Sequence, residues 1–325
     1  MGGGQWNDFG MDPILSPKFR QHADMAVIVA CDGNYLPYAG VLARQLAVPG
    51  RDYDVLIGSP EPLALPADLE ALAIGNVAAR DAELAESLPL DARRSLATYM
   101  EIFLARALKG RWRRILVLDA DILFERGHVG RLLTADMRGR AVAAVRDNHQ
   151  WRRPGKRTPD HQKLGRPATP YFNAGVVMVD TEAWAAQDMA ARCAAFARTR
   201  LAGVGRDQAL INGVLEGDWT EISPLWNWQF TWASAHLTAM ADPCLVHFIG
   251  PEKPWLASAA GIVPMRYRAL YADLPPDKAG SALHRRVWPE RRSLQRALLR
   301  QWRAAGPMLA YLGRFADEYT LLDPG

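Results

Sequence analysis

An α/β fold with a mostly parallel central sheet flanked by helices is predicted by three observations. Short, continuous apolar runs of strand length recur along the chain, as in strands buried on both faces. Stretches of helical periodicity alternate with them. Asp32, Asp119, Asp121 and His247 fall at the C-terminal ends of these runs, where open α/β sheets hold ligands.

Residues 1–24 have no apolar signal core and are expected to form a mobile leader. Met25–Cys31 opens the main domain as a strand and stops at the turn cluster Asp32-Gly33-Asn34-Tyr35. A helix over Tyr38–Ala47 is followed by a second strand at Tyr53–Gly58. A short helix at Pro66–Leu72 and a weak strand around Val77 come next. Leu96–Leu108 has helical spacing and leads into the apolar run Arg114–Phe124, read as one strand. Val142–Val145 and Gly175–Val179 are further strands. Thr181–Arg200 reads as one long helix with Thr181 as its N-cap, Asp207–Leu215 as another, and Cys244–Phe248 as a late strand. Asn148–Pro170 is polar and rich in Arg, Lys, Pro and His. It is either a lid or acceptor-facing loop or a solvated insertion. The main domain then covers residues 25–275, and residues 276–325 form a tail.

With 49% hydrophobic residues, the 325-residue chain can bury a substantial core, which excludes a wholly disordered protein. Cys31, Cys193 and Cys244 are odd in number, far apart and without a Cys-x-x-Cys spacing. They argue against a disulfide framework or zinc knuckle and suit a reducing, cytoplasmic compartment. No apolar run reaches the length of a spanning helix. The net charge of +4 is uneven: residues 281–314 carry eight arginines against Glu290 alone, which leaves the remainder slightly acidic.

The run Arg114–Phe124 carries two carboxylates near its end. In an extended chain Asp119 and Asp121 face one way across Ala120. Two ionised carboxylates in an apolar setting call for positive charge, and Mg²⁺ or Mn²⁺, which in turn suits a diphosphate, would supply it. The plainer alternative is a strand ending in a capping Asp beside a surface Asp.

Four further clusters have both a functional and a structural reading. Asp32-Gly33-Asn34-Tyr35 offers a carboxylate, an amide and an aromatic face for a ribose and a base, or is an ordinary turn. Tyr171-Phe172-Asn173-Ala174-Gly175 places a glycine in a strand, which marks either close approach to a ligand or a bulge. Asp207-Gln208 suits sugar hydroxyls, or Asp207 simply caps a helix. His247-Phe248-Ile249-Gly250-Pro251-Glu252-Lys253 sets a strand-end His before a glycine turn and a Lys able to meet a phosphate, or His247 is a satisfied core histidine. If His247 joins the two Asp residues, the mixed oxygen and nitrogen set favours Mn²⁺ over Mg²⁺.

Taken together these segments, with Ala97-Thr98-Tyr99, Trp226-Asn227 and the terminal Pro254-Trp255, occur in the order found in the family 8 glycosyltransferases. The chain resembles that family over about residues 25–273, closest in style to bacterial lipopolysaccharide galactosyl- and glucosyltransferases and more distantly to glycogenin. The resemblance implies a GT-A type nucleotide-diphospho-sugar transferase fold, a UDP-hexose donor, Mn²⁺ and retention of anomeric configuration. It implies that Asp119, Asp121 and His247 hold the metal, and that Asp32, Asn34 and Tyr35 hold the uridine. Gly250 and Lys253 would contact the diphosphate. Asp147, Asn173, Asp207 and Gln208 would surround the donor sugar, with Gln208 near the anomeric carbon. The acceptor would be a saccharide or lipid-linked glycan.

Two positions depart from the family pattern. Two residues after Tyr99, where the family usually has an Arg reaching the donor, stands Glu101; Arg93, Arg94 or Arg106 are the candidates to compensate. Gly33 replaces a frequent Asp, with little effect expected. The Glu101 substitution keeps a second function class in view, a sugar-nucleotide or glycan binder without turnover. A nucleotidyltransferase would need a Gly-rich phosphate loop near the N-terminus, which Asp32-Gly33-Asn34-Tyr35 is not.

In the tail, Ser293–Ala305 has Leu294, Leu298 and Trp302 on one helical face and Arg292, Arg296, Arg300 and Arg303 on the other. Such a helix either lies on an anionic membrane, peripheral at the inner membrane, or packs its Leu and Trp on the main domain. No nucleic-acid motif is present.

Overall fold

The structure, a computed structural model, describes residues 12–88, 95–200, 207–231, 235–274, 288 and 290–325. A short strand β1 (Ile14–Leu15) precedes β2 (Met25–Ala30). Residues expected to be a mobile leader thus reach the sheet from position 14 onward, and Phe19 fills the space that a side chain at Gly75 would need. Alternate residues of β2 feed two cores. Ala26 and Ile28 join the layer beneath Phe103 and Trp184, while Val27 and Val29 join the layer containing Leu42 and Leu46. That double burial is why the run is continuously apolar.

After α1 (Leu36–Leu46), β3 (Asp54–Ser59), α2 (Ala67–Ala71), β4 (Ile74–Ala78) and α3 (Ala82–Ser87), the segment Leu96–Leu108 starts as a 3₁₀ turn and becomes α4 (Met100–Ala107). It delivers the chain to β5 (Arg114–Asp119). Strands β4-β3-β2-β5 form a parallel block, with β1 antiparallel at its edge.

The single strand expected over 114–124 is broken. β5 ends at Asp119, the chain turns at Ala120-Asp121, and β6 (Ile122–Phe124) belongs to a second sheet. Periodicity cannot place that break, because apolar residues flank the turn on both sides.

Beyond α5 (Val129–Leu133) and β7 (Val142–Arg146), the polar segment 148–170 contains α6 (Asn148–Trp151) and α7 (Pro159–Lys163). β8 (Phe172–Asp180) then runs antiparallel to both β5 and β7, so this half of the sheet is mixed. A fully buried apolar run reads the same in either direction. The long helix expected over 181–200 is two, α8 (Thr181–Ala186) and α9 (Met189–Arg200), parted where Asp188 adopts φ 51°. Its N-cap is Asp180, which accepts from the Ala183 N–H at 2.9 Å. Thr181 is wholly buried and donates to the Trp112 carbonyl instead.

α10 (Asp207–Leu215), β9 (Thr220–Ile222), β10 (Trp228–Gln229), α11 (Ala235–Ala241), β11 (Leu245–His247) and α12 (Met265–Ala269) follow. β10, β11 and β6 make the small sheet. The tail forms α13 (Arg291–Leu312) and β12 (Leu321–Leu322), which pairs with β9 and closes the far edge of the main sheet.

Candidate active site

The carboxyl ends of β2 and β5, the turn after β5 and the end of β11 meet in a cleft of about 350 Å³. His247 Nε2 lies 3.1 Å from Asp121 Oδ1 and 3.6 Å from Asp119 Oδ2, although β11 and β5 belong to different sheets. The ring orientation follows from its other nitrogen. Asn227 donates through Nδ2 to Asn173 Oδ1 at 2.8 Å, so its own Oδ1 accepts from His247 Nδ1 at 3.0 Å. Nε2 then faces Asp121 Oδ1, which is buried and has no hydrogen-bond partner. A buried carboxylate oxygen set against an imidazole nitrogen suits a shared cation.

Burial works against ionised Asp121, but His247 and Lys253 outweigh it and hold its carboxyl far below the usual range. Desolvation within the cleft, though the side chain is about half exposed at its mouth, and then the Asp121 charge push Asp119 upward. An O, O, N donor set of this kind fits a divalent cation. Gly175 makes room for it: a Cβ there would fall 2.1 Å from His247 Cε1 and 2.8 Å from Asp119 Oδ2. Both readings of this glycine have a counterpart: the close approach is made by the protein's own imidazole and carboxylate, and the pairing with β7 is irregular there, Ala144 facing Val177 and Val145 facing Asn173.

A line of hydrogen bonds continues from this cluster. Asn173 Nδ2 donates to Gln208 Oε1 at 3.1 Å, as does the Ala174 N–H at 3.2 Å, and Gln208 Nε2 donates to Asp147 Oδ2 at 3.1 Å. Asp147 Oδ1 accepts from the His149 backbone and pairs with its ring Nδ1 at 2.7 Å. β7, β8 and α10 thus bring Asp147, Asn173 and Gln208 together, and Asp207 lines the same cleft at the start of α10.

On the other side, Asp32 Oδ1 accepts from the N–H groups of Asn34 at 3.0 Å and Tyr35 at 3.1 Å, shaping the turn after β2. Asp32 and Tyr35 line the cleft; Asn34 does not. The Tyr35 ring stands edge-on to Tyr38 and Trp255, which stack on each other at 4.1 Å. Gly250 and Lys253 lie beside the cleft lining. Lys253 donates to Asp121 Oδ2 and to the Phe248 carbonyl, which makes it the neighbouring cation of Asp121.

Glu101, on α4, is 5% exposed, and its Oε1 is buried without a hydrogen-bond partner. Burial, then Asp207 and Asp119, raise its carboxyl well above the ordinary range. Of the arginines expected to compensate, Arg106 is bound to Asp81, and Arg93 and Arg94 lie outside the described residues.

Sequence reasoning gave no role to Asn227 or His149. Asn227 was visible only within the Trp226-Asn227 pair of the family pattern, and its contacts to Asn173 and His247 orient the imidazole across the sheets. His149 follows Asp147 by two residues, but only the cap geometry of α6 shows their pairing.

Comparison with known proteins agrees with this architecture. The galactosyltransferase LgtC, solved with donor and acceptor sugar analogues, superposes with a TM-score of 0.61 at 21% identity, over 78% of this chain and 98% of that one. The bifunctional glycosyltransferase WbbM gives 0.57 at 19% identity, over 81% and 51%. The fold is therefore of the GT-A glycosyltransferase class. General stress protein A of Bacillus subtilis is 28% identical over 44% of this chain and 53% of its own length. Lipopolysaccharide 1,3-galactosyltransferase of Salmonella typhimurium is 26% identical over 54% of each chain. Lipopolysaccharide 1,2-glucosyltransferase of Escherichia coli is 27% identical over 52% of each. The match thus spans about half the length of these relatives. The model of glycosyl transferase family 8 matches residues 26–259, and the chain belongs to that family.

Proposed function

We propose that this chain transfers a hexose from a UDP-sugar to a saccharide or lipid-linked glycan, with retention of configuration and with Mn²⁺ as the cation, Mg²⁺ being the alternative. The observation that carries the proposal is the convergence of Asp119, Asp121 and His247 from two sheets, directly beside Asn173 and Gln208. Asp32, Asn34 and Tyr35 would hold the uridine. Gly250 and Lys253 would meet the diphosphate, with Lys253 exchanging its contact to Asp121 for phosphate oxygen. Asp147, Asn173, Asp207 and Gln208 would surround the sugar. Residues 25–275 would be the catalytic domain and 276–325 a basic, aromatic helical tail, which also lends the strand β12 to the edge of the sheet.

A cation held by Asp119, Asp121 and His247 would offset the charge that develops on UDP as the sugar–phosphate bond breaks. Gln208 favours a front-face route. Its carboxamide oxygen already accepts two hydrogen bonds, which lowers an already poor nucleophilicity. The departing phosphate oxygen then takes the acceptor's proton, while Asn173 and Asp147 hold Gln208 in place. The test is Mn²⁺-dependent UDP release from a panel of UDP-sugars. Release from one donor establishes the reading, and trapping a sugar adduct on Gln208 or Asp207 would replace the front-face route.

Glu101 favours a second reading, a binder without turnover, whose mark would be tight UDP binding without UDP release. Glu101 also has a measurable consequence for stability. Its folded-state carboxyl holds a proton that the unfolded chain has lost once the pH exceeds about 4.5. The folded state then binds more protons, so stability falls as pH rises. Glu101→Gln removes this dependence. The variant should be more stable than wild type above that pH, with a gap that widens toward neutrality. Thermal melts from pH 4 to 8 check this; parallel curves would show that Glu101 is ionised in the folded protein.

For the tail we propose contact with an anionic membrane surface. α13 has three stripes. Ala297, Gln301, Ala304, Met308 and Tyr311 pack on the domain, and Leu298, Trp302 and Leu309 stay exposed, Trp302 at 77%. Arg292, Arg296, Arg300 and Arg303 form the third, also exposed. The Leu-and-Trp face considered for domain packing is thus left facing outward at Leu298 and Trp302. No helix among the described residues is long and apolar enough to cross a membrane. Leu298→Ser/Trp302→Ser is expected to lower binding to phosphatidylglycerol-containing vesicles about tenfold or more, from lost apolar area, measured by co-sedimentation. Unchanged binding would assign the ridge elsewhere.

A further inference from the structure

We propose that residues 148–166 form a cationic shelf that receives an anionic group, phosphate or carboxylate, carried by the acceptor saccharide. The inference rests on the transferase reading and names the chemical class of its acceptor.

The shelf has six cations against one acid, Asp160. Arg152, Arg153, Lys156 and Lys163 are exposed and have no ion-pair partner among the described residues. This is unlike Arg126, Arg131, Arg138 and Arg140, each of which is paired with an Asp or Glu. Unneutralised charge gathered on one segment attracts an anion, and arginine forks recognise phosphate and carboxylate in particular.

The segment is not a loose insertion. Gln150 is wholly buried, accepts from the Tyr171 N–H at 3.0 Å, and donates to the carbonyls of Lys156 and Thr169, each at 2.9 Å. Thr158 and His161 form a capping box for α7, and His161 Nε2 contacts Thr169 Oγ1 at 3.0 Å. The cations are therefore presented on a fixed backbone, which limits the ordering cost of binding.

Its place in the site separates it from the donor's charges. The hydrogen-bonded line that begins at His247 ends at Asp147 and His149, where the shelf starts. The UDP diphosphate is assigned to the His247 end, beside Lys253. The positive charge at the Asp147 end is left for the other substrate. His149, with a half-exposed ring held by Asp147, lies on α6, whose C-cap is Arg152. Its bond to Asp147 favours the imidazolium over the opposing effects of burial and nearby Lys156, and Asp160 adds to that preference.

The test uses the full chain and the variant Arg152→Ser/Arg153→Ser/Lys156→Ser. All three side chains are exposed, and none belongs to the proposed donor site. The probes are an array of matched phosphorylated, uronate-bearing and neutral oligosaccharides, and vesicles with and without phosphatidylglycerol. Wild type should retain the anionic glycans about tenfold better than their neutral partners. Salt should erode that preference, and the triple variant should lose it. Acceptor-independent hydrolysis of the UDP-sugar should be the same in both proteins and reports on the transferase reading separately. Equal retention of neutral and anionic glycans, or an unchanged preference in the variant, would overturn the shelf. A variant that loses vesicle binding but keeps the glycan preference would overturn it too, assigning these cations to lipid headgroups.

Discussion

Asp121→Ala is expected to lower Mn²⁺-dependent UDP release by about 10³-fold, the largest effect on activity from any single change in the cleft. Asp121 does three things at once. It offers the buried, undonated oxygen beside His247 Nε2, it is the anionic partner of Lys253, and it sits at the turn between the sheets. Alanine would remove the proposed ligand and leave Lys253 without its carboxylate partner. Asp121→Asn keeps the shape but drops the charge, and should fall between the two. Mn²⁺ titration followed by UDP release on all three proteins checks the order. A fully active Asp121→Ala would remove this carboxylate from the site.

Glu221→Ala is expected to cost about 3–5 kcal/mol of folding stability, as when one member of a buried ion pair is removed. Glu221 is wholly buried on β9 and accepts from Arg146 Nε at 2.7 Å and Nη2 at 2.9 Å. It also accepts from the Tyr311 hydroxyl at 2.7 Å and pairs with Arg314 at 3.2 Å. Arg146, itself 1% exposed, would be left charged in the core. The node joins β7 and β9 to the end of α13, so the loss should loosen the tail as well. Urea unfolding of wild type, Glu221→Ala and Glu221→Leu/Arg146→Leu separates the terms. The double variant should recover much of the loss, because no cation is left buried; Arg314, the other cation on Glu221, is about a third exposed. A loss below about 1 kcal/mol in the single variant would show that water reaches Arg146.

Much of this was legible in the sequence because burial leaves a compositional trace. β2 and the middles of β3 and β8 are apolar since both their faces are buried, and the turn after β2 carries Asp32 of the cleft. What was not legible depended on contacts between distant segments. The break at Ala120-Asp121 exists because β6 pairs with β11, which no local pattern encodes. The parting of α8 from α9 rests on one residue, Asp188, in a left-handed conformation that alanine-rich flanks do not announce. Strand direction in β8 leaves no mark in a fully buried run. The amphipathic pattern of α13 was visible, but not which of its faces the domain would claim. There the small residues Ala297 and Ala304 allow close packing, and the larger Leu298 and Trp302 are left outside. At the site, the acids and the His were recognisable as residue types, whereas the part played by Asn227 needed three dimensions.

The turn at Ala120-Asp121 has one more consequence. Asp119 finishes the main sheet, His247 finishes the small one, and Asp121 occupies the crossing. Under the proposed reading a bound cation would be a removable staple through that seam, closing a long stretch of chain much as a cross-link does. How firmly the two sheets are held together would then follow ion concentration by mass action. The rigidity of the cleft would become a property of the surrounding electrolyte as well as of the polypeptide.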